Sequence, residues 1–305
     1  MIKAVLLGGE KMGCGPNKHI VKNALFMLAC CGQARNLYKR LRFIVPKKLG
    51  YHLVRVFCLP KKYGYEAFGY LLESKNNLIL VFKGTSIRAF DLSIDLNLYQ
   101  TKYPFISHAG KTHEGFTYLY SCLRSSILST LCAFDKHEKR SLYVTGYSLG
   151  GAIATIAALD ISKHTPFRNP KVYTFGSPRV GDPVFAMTYD RRIKENIRVV
   201  NVHDYIPLEP QAHIKPPFTK KGLNYQHVKG YFPISFQCKK GNFPLKFPLL
   251  KNHQLDRYFS TLAQFVPKYT EQICQANPRF CPSIQNDSQV NFLYTETLAS
   301  APSPK

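Results

Sequence analysis

Acidic side chains are scarce in this chain: 18 aspartates and glutamates stand against 42 lysines and arginines over 305 residues, a formal net charge of +24 at pH 7. Solubility needs far less, so the surface is attractive to anions, and nucleic acid, anionic lipid and acidic glycan are the partner classes it admits. No run of eighteen apolar residues occurs, which excludes a conventional membrane-spanning helix and leaves a soluble or membrane-peripheral chain as the expectation. No two cysteines have CxxC spacing, so a zinc site is not expected. A GxxxxGK[ST] phosphate loop, an HExxH helix and a calcium-binding aspartate loop are all missing, so the sequence calls for no cofactor and no metal. Helix-turn-helix, zinc-finger and aromatic RNA-binding boxes are missing too, which sets nucleic acid aside as a partner. No repeat of twenty to fifty residues is visible, so one principal domain is the simplest organisation.

What is present suffices for a sizeable core, with 45% apolar and 13% aromatic residues. Most of the nine cysteines lie in apolar runs, where they are expected to act as small core residues. Only Cys274 and Cys281, beside Pro278 and Pro282, read as a candidate disulfide, formed where the compartment is oxidising. Residues 1–49 are strongly basic: Lys3, Lys11, Lys18, Lys22, Arg35, Lys39, Arg40, Arg42, Lys47 and Lys48 face Glu10 alone. Within them Lys18 to Lys22 precede the apolar run from Ala24 to Cys31. That order suits a helix lying on the domain or on a membrane, an export segment, or a lipidation box ending at Cys30. Secretion or membrane-peripheral placement is compatible with it, and so is the cytoplasm.

Phe68 to Leu72 and Leu78 to Phe82 flank the polar stretch Ser74-Lys75-Asn76-Asn77, which predicts a hairpin. Further buried strands are expected at 141–145, 171–175 and 197–202. Phe116, Leu119, Tyr120, Leu123, Ile127 and Leu131 recur at helical spacing, and a second helix of small residues runs from Gly150 through Leu159. Strands alternating with helices imply an α/β protein with a mostly parallel sheet covered on both faces, whose working residues gather at the carboxyl ends of the strands.

At one such end lies Gly146-Tyr147-Ser148-Leu149-Gly150, a GxSxG box between a predicted strand and a predicted helix. Glycines two before and two after the serine let strand and helix approach, and the amide of Leu149 faces any negative charge that develops there. A serine hydroxyl is a poor nucleophile without a base, and the base needs a carboxylate to hold it. Asp204, just past the predicted strand 197–202, is the candidate acid. Three later histidines are candidate bases: His253, which precedes an amphipathic helix starting near Leu255; His227, in the strand-like run Tyr225 to Val228; and His213.

Lys83-Gly84-Thr85, His113-Glu114-Gly115-Phe116, Gly146 to Ala152, Tyr173 to Gly181, His203 to Pro207 and Asn252-His253 occur in the order found in fungal-type class 3 lipases, which residues 50–265 resemble. The resemblance implies an α/β-hydrolase fold with a mostly parallel central sheet and helices on both faces. It also implies hydrolysis of carboxylic esters, usually acylglycerols, by Ser148 as nucleophile, Asp204 as acid and His253 as base, with the amides of Thr85 and Leu149 as oxyanion hole. The chain departs from the family where Lys83 replaces a usual arginine and Tyr147 a common histidine. The family's mobile lid follows Thr85; here Ile87, Phe90 and Ile94 suggest a short helix running into a strand at 91–98. Leu92 stands where the family usually has tryptophan, a residue this chain lacks altogether. Residues 266–305 read as a C-terminal tail.

A lipid or ester is thus the expected substrate, and an anionic membrane surface a partner that the charge would favour. A phospholipase or acyltransferase using the same site, and a non-catalytic basic binding protein on a hydrolase fold, are the alternatives.

Overall fold

The run from Leu78 to Phe82 is apolar at every position because both of its faces are covered. Leu78, Leu80 and Phe82 point into one core, and Ile79 and Val81 into another. The computed structural model describes residues 16–39, 41–61, 64–84, 99–134, 140–215, 221–238 and 250–284. Thr85 and the expected lid at 87–98 lie outside them.

The run is the third strand of a seven-stranded sheet. Strands β1 (His52–Lys61), β2 (Gly64–Glu73) and β3 (Asn77–Phe82) form an antiparallel meander. Two short strands, β4 (Gln100–Lys102) and β5 (Lys111–His113), pair as a separate two-stranded sheet. Strands β6 (Ser141–Tyr147), β7 (Lys171–Phe175) and β8 (Asn196–Asn201) then add in parallel. After the small ladder of β9 (His213–Ile214) and β10 (Leu223–Asn224), β11 (Tyr231–Ile234) closes the edge, giving the order β1-β2-β3-β6-β7-β8-β11. The polar turn at Ser74 to Asn76 joins β2 to β3 as the sequence predicts. Around His227, however, no strand of the expected kind forms: Gln226 makes one isolated bridge with Gly181, and His227 lies in a loop.

Among the described residues six helices cover the sheet: α1 (Lys18–Tyr38), α2 (Glu114–Cys132), α3 (Leu149–His164), α4 (Pro183–Arg192), α5 (Leu255–Phe265) and α6 (Pro267–Ala276). On one face α2 and α3 pack through Phe116, Tyr120, Leu123 and the small side chains Ala152, Ala154 and Ala157. On the other lie α1, α5 and α6. Every residue of α1 from Ala24 to Ala34 is buried, so this helix is core on all sides rather than amphipathic. The tyrosine hydroxyl of Tyr70 donates to the Cys30 carbonyl at 2.7 Å, and Cys30 and Cys31 are 0% and 2% exposed. Cys30 is therefore an interior residue in this fold, not an accessible lipidation site, and burial pushes the Cys31 thiol up to about 12. The expectation of mostly buried cysteines holds for Cys30, Cys31 and Cys238 but not for Cys58, Cys122 and Cys132, which are exposed. No helix among the described residues is long and apolar enough to cross a membrane.

Cys274 in α6 and Cys281 beyond it are joined in a disulfide that closes a strap over α1. Phe280 inserts beside Phe26 with ring centroids 5.4 Å apart, and Gln33 donates to the carbonyls of Arg279 and Phe280.

The start of α2 carries a pH-sensitive cap. Nδ1 of His113 accepts from the Phe116 amide and the ring stacks on Phe116 at 3.9 Å, while Nε2 is buried with no hydrogen-bond partner among the described residues. Burial lowers its pKa to about 4. An unfolded histidine titrates near 6.5, so between these values the unfolded chain binds the extra proton; the contribution is constant above about pH 6.5 and becomes destabilising as pH falls toward 4. The unfolding free energy from urea titrations is expected to decline over that window by about 1.4 kcal/mol per pH unit from this group. His113→Gln should flatten the decline; an unchanged slope would contradict the assignment.

Candidate active site

Glycine is required at 146 because strand and helix meet there without room for a side chain. A Cβ on Gly146 would sit 2.1 Å from the backbone carbon and oxygen of Gly150, and one on Gly150 would sit 2.4 Å from the Phe82 carbonyl oxygen. Between these close approaches β6 turns sharply into α3 through Ser148, whose φ of 58° and ψ of −127° are strained for a side-chain-bearing residue. The turn is pinned by the Ser148 amide donating to the Phe175 carbonyl at 2.9 Å. Ser148 precedes α3, yet its hydroxyl makes no capping bond and stays available. Leu149 opens α3, so its amide is among the helix N–H groups that have no intrahelical carbonyl to bond.

The hydroxyl of Ser148 lies 2.8 Å from Nε2 of His253, and Nδ1 of His253 lies 2.6 Å from Oδ2 of Asp204. With Nδ1–H donating to the carboxylate, Nε2 is left to accept from the serine. Asp204 leaves the end of β8; its Oδ1 accepts from the Ile206 amide, and its Oδ2 also accepts from the Tyr258 hydroxyl at 2.7 Å. That hydroxyl in turn accepts the Asn201 amide at 3.0 Å. All three side chains sit out of solvent, at 3% exposure for Ser148, 3% for Asp204 and 7% for His253. In so dry a site each polar contact is stronger than in water.

His253 is fixed from several sides. Asn252 beside it donates to the His203 carbonyl and accepts from the Cys238 amide, while Asn201 donates to the Asn252 carbonyl. The ring of Tyr147 stacks on the imidazole with centroids 4.7 Å apart and planes 18° apart. Below, Gly176 takes φ +54°, and a Cβ there would stand 2.9 Å from His253 Cε1 and 3.0 Å from Asp204 Oδ2. The other two histidines are elsewhere. His227 Nε2 donates to the Pro207 carbonyl at 2.7 Å, and burial, with Arg198 and Arg179 nearby, lowers its pKa to about 3. His213 is exposed and pairs with Asn224.

Tyr258 and Gly176 are not singled out by the sequence, and Tyr147 is marked there only as a departure from the family's common histidine. Tyr258 falls on the apolar stripe of α5, where an aromatic reads as core, and its contact with Asp204 joins residues 54 apart. Among the described residues no group of three His, Cys, Asp or Glu could hold a metal ion.

A mostly parallel sheet with a serine on a strand-to-helix turn, followed by a carboxylate at a later strand end and a histidine just ahead of α5, defines an α/β-hydrolase architecture. Solved structures agree on the fold: the propeptide complex of Rhizomucor miehei lipase superposes with a TM-score of 0.58 at 24% identity, covering 72% of this chain and 70% of that one. Residues 79–213, a little under half of the chain, match the family described as Lipase (class 3). Two similar curated proteins are a secreted mono- and diacylglycerol lipase of Malassezia globosa and a lipase of Rhizomucor miehei. The first is 37% identical over 130 residues, 42% of this chain and 40% of that protein. The second is 35% identical over 145 residues, 46% of this chain and 39% of that protein. The alignments thus span about two fifths of the length of these relatives.

Proposed function

We propose that the chain is a serine carboxylic-ester hydrolase that acts as a lipase on acylglycerols. The observation carrying this reading is the unbroken series Ser148, His253, Asp204 at 2.8 and 2.6 Å in a buried site. In the proposed reaction Ser148 Oγ attacks the ester carbonyl carbon as its proton passes to His253 Nε2. Asp204 holds the imidazole and stabilises its positive charge. The carbonyl oxygen becomes an oxyanion that accepts from the Leu149 amide and, as the family resemblance implies, from that of Thr85. Collapse breaks the carbon–oxygen bond, and His253 returns the proton to the leaving alcohol. Water, deprotonated by the same histidine, then releases the acyl group and restores Ser148. The test is a panel of short-chain esters, mono-, di- and triacylglycerols and phospholipids, with Ser148→Ala as control. Preferential release of fatty acid from acylglycerols supports the reading; turnover confined to phospholipids, or transfer to alcohols in preference to water, would replace it with one of the alternatives.

Tyr258 is proposed to tune Asp204. Tyr258→Phe removes a donor to the carboxylate and strands the Asn201 amide, so kcat is expected to fall about 10-fold with KM little changed. Steady-state kinetics on a soluble ester decide it; a wild-type kcat would leave Tyr258 a packing residue only.

The disulfide and the relatives named as secreted support a place outside the reducing cytosol. The net charge of +24 supports attraction to an anionic lipid surface, at about 1 kcal/mol per basic residue brought near it. Co-sedimentation should therefore be strong with vesicles containing anionic phospholipid, weak with neutral vesicles, and lost as salt rises. Binding indifferent to both variables would contradict an electrostatic partner role.

A further inference from the structure

Lys83 is among the least exposed charged residues described, at 3%, and it stands just past the end of β3, where the backbone passes beside the nucleophile turn. A buried ammonium is costly unless it is paired, and here the pairing is specific. Nζ is 2.5 Å from Oε1 of Glu66 on β2 and 3.3 Å from the ring centroid of Tyr38, the last residue of α1. The Phe68 ring lies 5.2 Å away on the same cation. The odd positions of β3, Ile79 and Val81, already face α1, and Lys83 continues that face.

What the ammonium holds in place is backbone that touches the site. The Lys83 amide donates to the Phe68 carbonyl at 2.8 Å. A Cβ on Gly84 would be 2.7 Å from the Tyr147 carbonyl oxygen, and one on Gly150 would be 2.9 Å from Lys83 C and O. Residues 82–84 therefore bear directly on the turn that presents Ser148, and they lead into Thr85. A lysine cannot fork between two acceptors as an arginine does; a carboxylate on one side and an aromatic face on the other fix its position instead.

We propose that Lys83, clamped by Glu66 and Tyr38, is a positioning residue that sets the 82–84 backbone against the Ser148 turn, so that the end of α1 governs how well the site receives the oxyanion. α1 lies outside the segment 79–213 that matches the family, so the clamp links the catalytic turn to a part of the chain the match does not reach. The inference rests on the esterase reading above.

The experiment measures kcat, KM and inhibition by a trifluoromethyl ketone, a mimic of the tetrahedral adduct, on the full chain with a soluble nitrophenyl ester. Tyr38→Leu removes the aromatic face and Lys83→Met the charge, while Tyr38→Phe keeps the face. Folding is followed by circular dichroism, and Tyr38→Leu serves if Lys83→Met does not fold. Tyr38→Leu is expected to lower kcat at least 10-fold with KM nearly constant and to weaken the ketone by a similar factor, as loss of a contribution made only in the transition state requires. Tyr38→Phe should restore most of both. Variants that melt at lower temperature but keep kcat and ketone affinity within twofold of wild type would overturn the inference and leave the clamp purely structural. A wild-type protein that neither turns over ester nor reacts with a fluorophosphonate would overturn the esterase reading itself.

Discussion

Ser148→Ala is expected to lower kcat for ester hydrolysis by about 10⁴-fold or more while the protein stays folded, and His253→Ala to do nearly the same, because members of such a triad act as a unit. The prediction follows from distance and burial. One hydroxyl meets one imidazole nitrogen at 2.8 Å, and the other nitrogen of that ring meets a carboxylate at 2.6 Å, with all three residues no more than 7% exposed. Neither truncation breaks a helix: the Ser148 hydroxyl caps nothing, and His253 stands ahead of α5 rather than within it. His227→Ala is the control, since its ring bonds the Pro207 carbonyl and not the serine. It should retain turnover within a few-fold, with any cost appearing in stability. Loss of turnover in His227→Ala together with survival of His253→Ala would reassign the base.

The second large effect is on the turn itself. Gly146→Ala places a methyl 2.1 Å from the carbon and oxygen of Gly150, which are backbone atoms of α3 and cannot swing aside. Strand β6 and helix α3 must separate, and both are interior: Val144, Thr145 and every residue from Leu149 to Ser162 are buried. Overpacking of this kind costs about 3 kcal/mol or more, and the displaced turn moves Ser148 off its 2.8 Å contact. Denaturant titration should show a clearly lowered midpoint, and the fraction that remains folded should have lost most of its turnover. A variant with wild-type midpoint and kcat would mean that the turn can relax, and that the close approach at 146 is not what shapes the site.

Much of the central architecture is local in the chain and could be read from it. The hairpin of β2 and β3 is marked by a polar turn between apolar runs, and the small residues after Gly150 signal a helix pressed against a sheet. Other features are set by tertiary contacts. Ala24 to Cys31 looks alike whether it enters a membrane, leaves with a signal or fills a core. Its burial under the sheet depends on Tyr70, Phe280 and the strap closed by Cys274 and Cys281, all distant in sequence. The run from Tyr225 to Val228 alternates like a strand but is held as a loop, with Gln226 bridged to Gly181 and the His227 imidazole bonded to Pro207. Among His213, His227 and His253 the sequence favours His253, through the helix that follows it and through the resemblance, while the contact that makes it the base joins residues about a hundred positions apart. Tyr258 reads as an ordinary apolar-face aromatic and nothing in the sequence marks Tyr38; only the fold reveals that one meets a carboxylate and the other an ammonium.

The central claim is that Ser148 is an activated nucleophile, and covalent labelling tests it most directly. The wild-type protein, incubated with a fluorophosphonate and analysed by intact mass and peptide mapping, should gain one adduct located on Ser148. The adduct should be absent in Ser148→Ala and should form far more slowly in His253→Ala, because the serine then has no base to take its proton. An adduct on a different residue, or no adduct from a preparation that still hydrolyses ester, would contradict the account.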